Sequence, residues 1–386
     1  MKRTFLLYLI IITTVCKGQI TSVNPQLAIG ILGDKTIKDF QIKIESGRYF
    51  LLDEKNDTVR VVTDGDLISF TVNSWKLIFK NDTGITESKN VTLQGLDSTA
   101  TFTILTPTVK VPPIYDGNLR MAANDGKVKF VNYVLLEQYV DDVLRAEVGK
   151  DHTLELYKVQ AVISRTYALT NINKHKAEFF NLCDKVHCQV YNGKGKPNNA
   201  IDSATVLTRG EIVTYNNKPI DAAFSANCGG QTANSEDVWN HAVPYLRSIT
   251  DTFCTSSPGA YWEKCIKADE WTKYFMGMAG IKPNDKDTLL FQFDQPTRML
   301  YYVAKNQKVP LKQMRSDLKL RSTFFSVYKS GNDVFLCGRG YGHGVGLCQE
   351  GSSNMARKGY GYKQIISFYF KGVNIVPLSS LLAPNN

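Results

Sequence analysis

Residues 131–169 read VNYVLLEQYVDDVLRAEVGKDHTLELYKVQAVISRTYAL, and the period of their apolar positions decides the fold class. Leu136, Tyr139, Val140, Val143 and Leu144 recur at spacings of three and four, so they share one face of an α-helix, and Glu147 is the next position on that face. A GKDHT turn intervenes, and a second helical pattern follows with Val159, Val162, Ile163 and Thr166 on one side. Upstream, from Leu27 to Leu105, the period is two: Phe40, Ile42 and Ile44, then Ile68, Phe70 and Val72, then Phe102 and Ile104, separated by the turn signals SGR, TDGD and KNDTG. Downstream of residue 178 the chain returns to mixed strands and loops rich in Gly and Asn, with a further helical stretch from Ala268 to Met278. This order predicts an α+β protein, a β-rich N-terminal region over residues 19–112 followed by a mixed α/β domain over 113–386. The boundary is read at TPTVKVPPIYDG, because Pro112 and Pro113 interrupt both helix and sheet.

The first 18 residues have Lys2 and Arg3, an apolar run from Phe5 to Ile12, then small or polar residues, the layout of a secretory signal peptide cut near Gly18 and Gln19. Anchoring through a lipid on Cys16 is the rival reading, opposed by the bulk of Val15. The apolar run is too short to span a bilayer, and no later stretch is long enough, so no transmembrane segment is expected. Loss of the leader removes Lys2, Arg3 and Lys17 and no acid, taking the formal charge from +10 to +7. Such a charge favours polyanions, among them an acidic wall polymer or anionic lipid, and export argues against nucleic acid. Seven of the eight cysteines then remain. Cys254 with Cys265 and Cys337 with Cys348 bracket short loops and are read as bridges, leaving Cys183, Cys188 and Cys228.

A carboxylate that continues an apolar stripe at a helix C-terminus is disfavoured as an ion by burial and by the helix dipole. Glu147 therefore qualifies as an acid protonated near neutral pH, unless the helix ends earlier and leaves it solvated or paired with Arg145 or Arg165. Lys158, Gln160, Arg165 and Tyr167 on the second helix combine cations, an amide and an aromatic, a set suited to line a groove for an acidic sugar polymer. His175, Cys183, His187 and Cys188 make a possible tetrahedral zinc set, with a Cys183–Cys188 disulfide as the alternative. In AFSANCGGQTANSEDVW, Ser225, Asn227, Gln231, Thr232 and Asn234 surround a glycine pair and suit sugar hydroxyls, while Cys228 could act as a nucleophile with a histidine.

The stretch GRGYGHGVGLCQEG, residues 338–351, has a glycine at every second position from Gly338 to Gly346. Read as extended chain, it puts Arg339, Tyr341, His343, Val345 and Leu347 on one face and leaves the other bare for a close neighbour. It lacks the Lys-Ser or Lys-Thr of a phosphate loop and the spacing of a dinucleotide fingerprint.

Four stretches together resemble the SpoIID/LytB family of stage II sporulation protein D-type lytic transglycosylases and amidase enhancers: LEQYVDDVLRAEVG (136–149), LYKVQAVISRTYAL (156–169), NCGGQTANSEDVWNHAVPYLRSI (227–249) and GRGYGHGVGLCQEGSSNMARKGYGYKQIISFYFKGV (338–373). The resemblance implies cleavage of the β-1,4 bond between N-acetylmuramic acid and N-acetylglucosamine in peptide-stripped peptidoglycan, leaving 1,6-anhydro ends. It assigns the catalytic glutamate to Glu147, although Val148 replaces the usual methionine. It makes Lys158 and Arg165 groove residues, and it favours a structural zinc at the LCDKVHC segment, with no cofactor required for catalysis. Gln160, Tyr167, Ser225, Gln231, Tyr341 and His343 complete the expected substrate contacts. A cell-wall amidase is the expected protein partner, and a noncatalytic amidase-enhancing role is the alternative activity.

Overall fold

The computed structural model describes residues 22–81, 84–279, 290–304 and 307–382, so the leader expected over residues 1–18 lies outside the described residues. The period-two stretches form β1 (Gln26–Ile31), β2 (Asp39–Ser46), β3 (Tyr49–Leu52), β4 (Thr58–Val62), β5 (Leu67–Asn73), β6 (Lys76–Asn81), β7 (Gly84–Ser88), β8 (Asn90–Gly95) and β9 (Thr101–Leu105). Alternation does the work expected of it: in β5, Ile68, Phe70 and Val72 are buried and the residues between them are exposed. Next come β10 (Ile114–Asp116), β11 (Asn118–Asn124), β12 (Lys127–Leu135), α1 (Leu136–Glu147), α2 (Leu154–Thr170) and β13 (Leu182–Cys183).

Two sheets result, one ordered β13-β1-β12-β11-β8-β3-β4 and one ordered β10-β9-β2-β5-β6-β7. Their inner faces meet in one core, in which Phe40 stacks on Phe70 at 5.1 Å within its sheet and meets Phe130 of the other edge-on at 5.0 Å. Pro112 and Pro113 lie in the connection between β9 and β10, where the boundary is expected. Pairing nevertheless crosses it: β12 lies between β1 and β11, and β11 pairs with β8.

The rest comprises α3 (Asn199–Leu207), β14 (Glu211–Tyr215), β15 (Lys218–Pro219), β16 (Phe224–Ser225), α4 (Ser235–Trp239), β17 (Tyr261–Lys267), α5 (Ala268–Ala279), β18 (Tyr301–Ala304), β19 (Gln307–Pro310), α6 (Leu311–Asp317), β20 (Phe325–Ser330), β21 (Asp333–Arg339), β22 (Leu347–Cys348), α7 (Gln349–Arg357), α8 (Tyr362–Tyr369) and β23 (Asn374–Pro377). Helix and sheet mix here as an α+β protein requires. A second core gathers around α2, α7 and α8, and a third, smaller one joins α5 and α6 to the β17-β21-β20 sheet.

Helix α2 is the hinge of this arrangement. Tyr157, Ala161, Ala168 and Leu169 face the first core, and Leu156, Val159, Val162 and Ile163 face the second. A helix wrapped on both sides has no solvated stripe, so its polar residues must find partners inside. No helix among the described residues is long and apolar enough to cross a membrane.

The glycine stretch is a correction. Only Arg339 and the residues before it continue strand β21; Gly340, Gly342, Gly344 and Gly346 all have φ between 72° and 107°, so the chain coils through left-handed positions. The close neighbour is the protein itself. A Cβ at Gly340 would stand 2.6 Å from the Asn227 carbonyl oxygen, and one at Gly346 would stand 2.3 Å from that of Ala223.

The expected disulfides are also corrected. All seven cysteines from Cys183 to Cys348 are free; Cys254 is buried, whereas Cys265 lies on the exposed face of β17, and Cys337 is on β21 while Cys348 is buried at the start of α7.

Candidate active site

Helix α1 ends after Glu147 because Gly149 takes φ +78°, with the Val148 N–H closing the last turn on the Leu144 carbonyl. This places Glu147 in the lining of a cleft of about 570 Å³, shared with Tyr167, Lys174, Asp221, Trp239, His241 and His343. Its Oε1 accepts the Val190 N–H at 2.7 Å. Arg145 is committed to Asp141 and Asp202, and Arg165 to Glu137, so neither neutralises Glu147. Burial raises its pKa above the ordinary glutamate value, only partly offset by the Val190 amide.

His343 lines the same cleft. Its Nδ1 accepts the Val345 N–H at 3.0 Å, and its ring lies 5.4 Å from that of Trp239. Burial, with help from Arg315 and Arg298, pushes its pKa down to about 4, so it is a neutral imidazole near neutral pH. Asp221 is a second carboxyl in the cleft, raised by burial and held down by His241 and Lys174. Lys174 donates to the Tyr167 hydroxyl at 3.1 Å and also to the His187 carbonyl.

His343 also borders a second hollow of about 430 Å³, lined on its polar side by Asp237, Arg298, Lys312 and Arg315. Lys312 is tied to the Val238 carbonyl at 2.7 Å, whereas the Arg315 guanidinium makes no hydrogen bond or ion pair among the described residues.

Several expected contacts lie elsewhere. Arg165 is fully buried, donating to both Glu137 oxygens at 2.9 and 2.7 Å and to the Glu211 carbonyl. Gln160 is fully buried against Ser164 and Gln349. Lys158 pairs with Glu155 at 2.7 Å and lies over the Tyr362 ring, outside the cleft. Ser225 is buried under Gly342, and Gln231 is spent on Ser248 and the Arg298 backbone. Tyr341 is exposed beside Arg321 and lines neither hollow. Of the expected contacts, Tyr167 and His343 share the cleft with Glu147.

Lys174, Asp221, Trp239 and His241 also line the cleft, and none of them is among the contacts expected from the sequence. Trp239 and His241 stand inside the quoted NSEDVWNH stretch, a signal that was present.

At the cleft edge, His175, Cys183, His187 and Cys188 bring one ligand atom each to within 4.8 Å of the others. Cys188 Sγ is 3.4 Å from His175 Nε2, and Cys183 Sγ is 3.8 Å from His187 Nδ1. His175 Nδ1 donates to Glu178 at 2.6 Å, which leaves Nε2 free to ligate, the usual carboxylate support for a metal-bound imidazole. Cys183 is held by the pairing of β13 with β1, and Phe180 packs over Gly30, so the loop carrying this set is anchored to the first sheet. The donors fit a tetrahedral zinc ion.

The sequence profile of a family described as stage II sporulation protein matches residues 124–215, the span that holds α1, α2 and this loop. An uncharacterised protein of Brachyspira hyodysenteriae is 30% identical over 367 residues, 94% of this chain and 93% of that protein. Stage II sporulation protein D of Bacillus subtilis is 29% identical over 269 residues, 65% of this chain and 77% of the relative. The amidase enhancer of the same species is 25% identical over 290 residues, 60% of this chain and 39% of the relative. Aligned in sequence along nearly the whole of one relative and matched by the profile over α1 and α2, the chain belongs to the SpoIID/LytB family.

Proposed function

We propose that the protein is an exported lytic transglycosylase that cleaves the N-acetylmuramic acid–N-acetylglucosamine bond of peptide-stripped peptidoglycan. The observation that carries this reading is Glu147, a carboxyl with raised pKa and no pairing cation among the described residues, lining a cleft that also presents Trp239 and Tyr167. A hydrolase commonly needs two carboxyl groups, one for the leaving oxygen and one for water or the sugar. When the sugar's own 6-hydroxyl attacks, proximity replaces the second group. Glu147 protonates the glycosidic oxygen as the bond from that oxygen to C1 breaks. The 6-hydroxyl oxygen bonds to C1, and its proton returns to the Glu147 carboxylate, so the acid is regenerated and no water is consumed.

Trp239 and Tyr167 offer flat faces to sugar rings, and neutral His343 can hydrogen-bond hydroxyls without attracting a counter-ion. Arg315 and Lys312 take the place expected of Lys158 and Arg165 as partners for the lactyl carboxylates bared by peptide removal. His175, Cys183, His187 and Cys188 would hold a structural zinc, whose role would be to pin the loop beside Tyr167, with proton transfer left to Glu147.

Wild-type protein incubated with peptide-free glycan strands yields fragments whose mass shows the anhydro end, and Glu147→Gln yields none while remaining folded. Fragments with ordinary reducing ends would instead assign the reaction to hydrolysis, with Asp221 as the second carboxyl. The likeness to an amidase enhancer favours a second reading, a wall-binding stimulator of an amidase. Stimulation undiminished in Glu147→Gln, with no turnover by wild type, would select it.

A further inference from the structure

A second cluster of metal-type donors lies in the second core. Cys228, Asp251, Cys254 and Cys348 are all fully buried, and their four ligand atoms lie within 4.8 Å of one another. We propose that these residues form a structural zinc site of three thiolates and one carboxylate, distinct from the histidine-containing set at the cleft edge.

The geometry is close to what an ion requires. With zinc–sulfur bonds of about 2.3 Å, a tetrahedron has donor–donor edges of about 3.8 Å. Cys228 Sγ lies 3.5 Å from Cys254 Sγ and 3.2 Å from Asp251 Oδ2, somewhat short of such edges, so a small outward shift of the donors admits a central ion.

The surroundings suit negative donors. The N–H groups of Cys228 and Gly351 point at Cys348 Sγ from 3.3 and 3.4 Å, the second from the first turn of α7, which Cys348 caps. The Tyr369 hydroxyl donates to Asp251 Oδ2 at 2.9 Å, and the Phe253 N–H donates to Oδ1. No Lys, Arg or His among the described residues bonds to the Asp251 carboxyl, yet it is fully buried, where an ionised group needs a compensating charge. A divalent ion supplies it. Arg298, which donates to the Cys228 carbonyl at 2.7 Å, adds a further positive charge beside the cluster.

The ligands come from three separated stretches: the turn before the Gly229–Gly230 pair, the Asp251–Cys254 turn and the start of α7. An ion would staple all three, and the glycine loop carrying His343 runs between the first and the last. Binding displaces the thiol protons to solvent and forms no covalent sulfur–sulfur bond.

The test uses the full chain after its leader, loaded with zinc and dialysed, with metal measured by mass spectrometry. The Cys183→Ser/Cys188→Ser variant, crippled at the cleft-edge set, is expected to keep one zinc per chain. With cobalt in place of zinc it should show thiolate charge-transfer and tetrahedral ligand-field bands. Adding Cys254→Ser and Cys348→Ser should abolish both signals. Metal-stripped, denatured wild type without reductant should have Cys228, Cys254 and Cys348 all open to a thiol reagent. A cooperatively folding Cys183→Ser/Cys188→Ser protein with no bound metal, or peptide mapping that finds two of the three thiols joined, would overturn the proposal. One equivalent in wild type that persists in Cys183→Ser/Cys188→Ser supports this site and removes the metal only from the cleft edge.

Discussion

Two acids on α1, one buried and one half-buried, show how partners decide a residue's fate. Glu137 meets Arg165 in a fully buried pair, whereas Glu147, ten positions on, meets only an amide. Glu147's folded pKa lies above its unfolded value, so its stabilising contribution is complete below the unfolded pKa and is lost as pH rises through the folded one. Glu147→Gln escapes that loss: its thermal midpoint at neutral pH should be no lower than wild type's, while turnover falls at least about a hundredfold. In wild type, activity on glycan strands should decline with rising pH around a midpoint above the ordinary glutamate range. No limb should appear near the usual histidine value of about 6.5, because His343 is already neutral there. Arg165→Met strands a buried carboxylate and should cost about 3–5 kcal/mol in denaturant unfolding, a loss that a groove residue would not produce. The apolar stripe placed Glu147 at the end of α1, while its catalytic role was offered only by the family resemblance. The burial of Arg165 was not legible in the sequence, because its partner lies 28 positions away and nothing local distinguishes a buried cation from a solvated one.

At the scale of elements, the two central helices could be read directly, since α1 and α2 run where the spacing of three and four places them. Which face of α2 meets solvent could not, because the helix is enclosed by two cores. Alternating glycines imitate the period of a strand, yet each of the four beyond Arg339 adopts a conformation that side-chain-bearing residues resist. Gly346→Ala should therefore lower stability by at least about 1–2 kcal/mol from backbone strain, with more from collision with the Ala223 carbonyl. Gly331→Ala, also at positive φ but facing open space, is the control that isolates strain from collision. A denaturant midpoint equal in the two variants would show that close approach contributes nothing. Cysteine spacing misled for a related reason: proximity in sequence along a β-hairpin or loop says little about which side of the sheet a thiol takes.

For the whole molecule, the strand-rich start and the helical centre were both apparent from periodicity, whereas the interleaving of β1 and β8 with β12 and β11 was not, because strand order is set by partners distant in sequence. The cleft is assembled in the same long-range way, from the end of α1, the loop after α2, the Asp221–Phe224 stretch, the end of α4 and the glycine loop. His343 borders both hollows, and we extend the proposed glycan path from one station past the imidazole into the other. An oligosaccharide short enough to fit one station gains nothing from the other; one that threads past the imidazole is gripped at both ends. Calorimetric titration of glycans of increasing length into Glu147→Gln should thus show affinity climbing in a step once both stations fill, and Arg315→Ala should flatten that step while leaving the shortest ligands unaffected.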